Sequence, residues 1–82
     1  MTLDMIAVEV ADIIRDVLDQ PDLAVGAATT ADDVEGWDSF SHINIVVATE
    51  ARFGIKFRTA EIEELHKVGD LVALVGRKTH TV

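Results

Sequence analysis

Cysteine is absent from this 82-residue chain. Disulfides, thiolate metal sites and a cysteine nucleophile are therefore excluded, and any thiol chemistry has to come from an attached group. Basic residues are scarce: Lys and Arg number 7 against 15 Asp and Glu, for a net charge of −8 and a pI near 4.5. Such a surface repels phosphate backbones and anionic headgroups, which argues against a nucleic-acid or anionic-membrane binder and makes a basic protein surface the expected counterpart. No run approaches the roughly 20 apolar residues of a membrane span, and the first segment carries acids where a leader would carry a basic stretch. A cytoplasmic protein without membrane insertion is the expectation. Fixed-period repeats and low-complexity tracts are also lacking.

What is present fits one domain, residues 1–82, with a modest core over about 3–78. The charge is uneven. Up to residue 50, Asp4, Glu9, Asp12, Asp16, Asp19, Asp22, Asp32, Asp33, Glu35, Asp38 and Glu50 are countered only by Arg15, whereas the remainder is mixed. Leu3, Ile6, Ala7, Val10, Ile13, Ile14, Val17 and Leu18 recur at three- and four-residue steps, predicting an amphipathic helix capped by Thr2 and ended by Pro21. Gln20 to Gly36 holds proline, two glycines, threonines and acids without sustained period and reads as a long surface loop, pinned by Leu23 and Val25.

A second helix is predicted over about Ser39 to Phe53, apolar on two sides. Ile45, Val46, Thr49 and Phe53 form one stripe, and Phe40, Ile43, Val47 and Ala51 another. One stripe faces the core of so small a bundle, which leaves the other as a candidate partner surface. Gly54 fits the left-handed residue that closes the helix, after which Ile55 and Phe57 pack while Lys56 and Arg58 face water. Thr59 is read as the cap of a short third helix through about Leu65. Val68, Leu71, Val72 and Val75 mark a last helix ending near Gly76. The fold class is all-α: a small four-helix bundle with a long loop between helices 1 and 2 and a short third helix.

At the start of the second helix Asp38-Ser39-Phe40 places a hydroxyl where backbone N–H groups are unpaired and the macrodipole is positive, a favourable setting for phosphate. Together with Gly36-Trp37 before it and with Phe53-Gly54 and Val68-Gly69-Asp70-Leu71 after it, this segment resembles the modification site of acyl carrier proteins, with phenylalanine in place of the usual leucine after Asp-Ser. The resemblance covers roughly residues 3 to 78. It implies that Ser39 is the attachment point of 4′-phosphopantetheine, transferred from coenzyme A by a magnesium-dependent phosphopantetheinyl transferase (holo-acyl carrier protein synthase), and that the arm brings the thiol the chain lacks. It also implies that Asp38 helps engage the transferase and its metal. Phe40, Ile43 and Val47 would then contact the transferase and acyl-processing enzymes such as a ketosynthase, acyltransferase or acyl-ligase. The implied role is a free-standing carrier, not an enzyme, in fatty-acid, polyketide or related lipid biosynthesis, and a monomer because the partner surface must stay free.

Several residues depart from that pattern. Places where many relatives carry acids hold Ser41, His42, Asn44 and Arg52 here, leaving Asp38 and Glu50, so Asp32, Asp33 and Glu35 in the loop are candidates for the missing charge. Thr49 stands where a large aliphatic residue is usual. Trp37 reads as a loop anchor, and His42, His66 and His80 share no helical face that would make them a metal set. A serine hydrolase is set aside because Gly36-Trp37-Asp38-Ser39-Phe40-Ser41 lacks the second glycine of a nucleophile elbow, and Asp32-Asp33 lacks the alternating ligands of a calcium loop. An aminoacyl or peptidyl carrier, and a cofactor-free acidic helical interaction module, stay open as alternatives.

Overall fold

The structure, a computed structural model, describes residues 2–79. Among them are four α-helices and no strand: α1 Leu3–Leu18, α2 Ser39–Phe53, α3 Thr59–Glu63 and α4 Val68–Lys78. The all-α fold class expected from periodicity is therefore the observed one. One 3-10 turn, Ala31–Asp33, interrupts the long loop before α2. It is held locally, with the Thr30 N–H donating to Asp33 Oδ2 at 3.1 Å, and that side-chain bond has no periodic signature.

α1 is the spine. Thr2 caps it, its hydroxyl accepting from the Met5 N–H at 3.2 Å. The helix does not run to Pro21: it stops at Leu18 because Asp19 turns to φ 54 and its N–H closes on the carbonyls of Arg15 and Asp16. Ile6, Val10, Ile13 and Ile14 of α1 meet Ile45 of α2 and Val68, Leu71 and Val75 of α4 in one core cluster. A helix of this length is marginal by itself in water. Burying each such aliphatic side chain contributes about 1.5–3 kcal/mol, so packing rather than propensity holds it. Leu3, expected on the apolar face, is 47% exposed at the helix tip.

The loop from Gln20 to Gly36 is tied down at both ends. Arg15 Nε donates to the Leu23 carbonyl at 2.7 Å, and Gln20 Nε2 to the Glu35 carbonyl at 2.7 Å. Leu23 and Val25 pack against the core as expected. The Thr29 and Ala27 carbonyls accept from the Val68 and Gly69 N–H groups at 2.9 and 2.8 Å, so the loop supplies partners for donors that the start of α4 leaves open.

Gly54 closes α2 in the left-handed region at φ 66, as predicted. Three further helix limits differ from the pattern reading. α3 begins one residue earlier in its capping, with Arg58 as the cap residue and Thr59 already helical, because the Glu61 carboxylate reaches back to the Arg58 N–H at 2.7 Å. It also ends at Glu63, short of Leu65. α4 runs past Gly76 to Lys78. Lys78 Nζ lies 2.9 Å from Glu61 Oε1 and ties α3 to α4.

Candidate functional site

Residues 36–42 form a short, laced entry into α2. Gly36 is left-handed at φ 87, which turns the chain towards the helix. Asp38 is the N-cap: its Oδ1 accepts from the Ser41 N–H at 2.8 Å, and its carbonyl accepts from the His42 N–H at 2.9 Å. Ser41 Oγ donates back to the Gly36 carbonyl at 3.1 Å. Trp37 packs against the core, as expected of a loop anchor, and its indole N–H donates to His42 Nδ1 at 3.2 Å with the two rings stacked.

Ser39 is the first residue of α2 and is exposed. Its hydroxyl bonds to no described residue, because the capping work falls to the aspartate before it. An accessible hydroxyl at the positive end of a helix of this length suits a phosphodiester. The Asp38 carboxyl is held below its ordinary value, first by the Ser41 N–H and then by the nearby Ser41 hydroxyl. It therefore stays ionised and exposed beside the serine.

The two apolar stripes of α2 separate as predicted. Ile45, Val46 and Thr49 are buried, while Phe40, Ile43 and Val47 are 73%, 53% and 55% exposed on the outer face. Thr49 is fully enclosed and satisfied, its Oγ1 donating to the Ile45 carbonyl at 2.7 Å.

Four side chains expected to be on display along α2 are committed elsewhere. Ser41 and His42 are half-buried in the entry contacts just described. Glu50 folds past the Gly54 turn, its Oε2 accepting from the Phe57 N–H at 2.7 Å. Arg52 pairs with Glu9 of α1. The outer face near Ser39 is consequently apolar with little free charge, while Asp32 and Glu35 stand exposed on the adjoining loop. Asp33 is partly spent on its turn. No cluster of His, Asp or Glu among the described residues is arranged to hold a metal ion, and His80 lies outside those residues. Among the described residues no helix is long and apolar enough to cross a membrane.

A helical bundle that presents an uncommitted serine at a helix start, with an ionised aspartate before it and an exposed apolar stripe after it, has the form of a carrier for a phosphate-linked arm. Comparisons with known proteins agree. The family model for the phosphopantetheine attachment site matches residues 8–75. An acyl carrier protein of Acidothermus cellulolyticus is 33% identical over 69 residues, which is 84% of this chain and 82% of that protein. The solution NMR structure of holo acyl carrier protein from Geobacter metallireducens superposes with a TM-score of 0.82 at 38% identity, over 96% of this chain and 86% of that one. The chain belongs to the phosphopantetheine-attachment-site family as an acyl carrier protein, a carrier and not an enzyme, and 4′-phosphopantetheine is its prosthetic group.

Proposed function

We propose that the chain is a free-standing, single-domain carrier spanning residues 1–82, monomeric and cytoplasmic, that conveys acyl intermediates of fatty-acid, polyketide or related lipid biosynthesis as thioesters on an arm attached to Ser39. The observation that carries this reading is the division of labour between neighbours: Asp38 caps the helix and leaves the Ser39 hydroxyl exposed, with no partner among the described residues. The match over most of the length of two acyl carrier proteins supports a free-standing carrier of acyl groups over an aminoacyl or peptidyl one.

Loading forms the bond from Ser39 Oγ to phosphorus, breaks the pyrophosphate bond of coenzyme A and releases adenosine 3′,5′-bisphosphate. The hydroxyl proton passes to a base of the transferase. When bound, the arm supplies a terminal thiol. Asp38, ionised and exposed, helps engage the transferase and its magnesium. Phe40, Ile43 and Val47 form the contact surface for the transferase and for a ketosynthase, acyltransferase or acyl-ligase. Because the chain contains no cysteine, thiol titration tests the reading directly. Incubation with coenzyme A, magnesium and a broad-specificity transferase should take the purified protein from no titratable thiol to one per chain, and subsequent acylation should mask it in a hydroxylamine-labile form. A protein that stays without a thiol would point to the cofactor-free interaction module.

A further inference from the structure

We propose that His42 is a positioning residue for the phosphodiester on Ser39: locked by Trp37 in the form that carries its proton on Nε2, it donates a hydrogen bond to a phosphate oxygen of the arm. This rests on Ser39 as the attachment point. An indole N–H only donates, so the 3.2 Å contact from Trp37 Nε1 requires His42 Nδ1 to be unprotonated. The neutral ring must then hold its proton on Nε2.

That second nitrogen is an uncommitted donor. No described residue accepts from it, and no buried side-chain nitrogen in the described structure lacks a partner, so Nε2 reaches solvent although the residue as a whole is half-buried. Position places it near the arm's root. His42 follows Ser39 by three residues, a spacing that sets Cβ atoms about 5–6 Å apart on one side of a helix. Helical side chains lean towards the N-terminus, and the His42 ring does so, since it stacks on Trp37, which precedes Ser39. Trp37 is itself packed on the core, so the ring rests on a fixed ledge.

The cavity behind the ring, shared with His66, Lys67 and Leu65, is about 30 Å³. The charged and titratable groups around the ring are Asp38 on the helix start and His66 and Lys67 across the cavity. Asp38 is an anion adjoining the anionic diester, and a fixed donor opposite it helps hold the arm's root in one place.

The test uses the ¹⁵N-labelled full chain before and after loading, with intact mass confirming one arm. Long-range ¹H–¹⁵N spectra at a pH of about 8, above the ordinary histidine range, report the protonation of each ring nitrogen. The expected result is Nε2–H with unprotonated Nδ1 in the unloaded protein. On loading, a shift should be confined to His42 Nε2, with Trp37 Nε1 unmoved. In the loaded protein the ³¹P resonance should be displaced in His42→Ala and restored in His42→Gln, whose amide nitrogen stands in place of Nε2. A loaded protein whose His42 resonances do not move, or identical ³¹P signals in parent and His42→Ala, overturns the proposal. The parent comparison needs no variant and survives a substitution that fails to fold. Absence of any mass gain overturns the Ser39 attachment reading itself and this proposal with it.

Discussion

Two adjacent side chains at the head of α2 have opposite assignments. Asp38 spends its carboxylate on the Ser41 N–H, and Ser39 spends its hydroxyl on none of the described residues. Were the serine the cap, its oxygen would be turned inwards to the helix backbone and shielded from a transferase. The lowered carboxyl of Asp38 has a consequence for stability against pH. A group whose folded-state value lies below its unfolded one contributes stability that is fully present above the unfolded value, here about 3.8, and lost as pH falls through the lower folded value. Urea midpoints should therefore drop more steeply on acidification below that range in the parent than in Asp38→Asn, the two curves converging at the acid end. Parallel curves would mean that the cap does not discriminate between the charged and neutral acid. The Asp-Ser pair was legible in the sequence by position and neighbours. That His42 would be drawn to Trp37 across the loop-to-helix turn was not, because it depends on side-chain direction rather than spacing.

At the level of elements, α1 and the two-faced α2 were readable because burial follows the helical period: Ile45, Val46 and Thr49 point inwards while Phe40, Ile43 and Val47 point outwards. What escaped periodicity were ends and crossings. α3 starts where Glu61 reaches back to Arg58, and Glu50 is occupied by a backbone N–H brought to it only by the reversal at Gly54. The junction between the long loop and α4 gives an element-scale prediction. A Cβ at Gly69 would sit 3.0 Å from the Ala27 carbonyl oxygen, a backbone atom already bonded to the Gly69 N–H. Gly69→Ala should cost about 1–3 kcal/mol, and in a domain of this size each kcal/mol lowers the melting midpoint by about 4–8 °C. At Gly76 the near atom is Leu3 Cδ2, the end of a half-exposed side chain that can swing away, and alanine gains helix propensity, so Gly76→Ala should be close to neutral. Thermal unfolding of the pair checks the contrast, and equal losses would contradict it.

At the end of the molecule that carries Ser39, acidity and apolar display are spatially divided. The face of α2 beside Ser39 offers Phe40, Ile43 and Val47, with its acid and its arginine engaged elsewhere, whereas Asp32 and Glu35 stand free on the adjoining loop. Docking should then combine an apolar anchor with loop charge. Phe40→Ala should slow transferase turnover at low substrate about tenfold at any salt concentration. Reversing Asp32 and Glu35 to lysine should slow it at low salt and progressively less as salt screens the charges. Rates unchanged on reversal would remove the loop from recognition. Asp33 is excluded from that test because it holds the Ala31–Asp33 turn.

The attachment of the arm to Ser39 is the claim on which the rest depends, and the intact mass of the parent and of Ser39→Ala, before and after incubation with coenzyme A, magnesium and a broad-specificity phosphopantetheinyl transferase, tests it most directly. A gain of one phosphopantetheine unit is expected in the parent and none in the variant. A gain in both, or in neither, would contradict it.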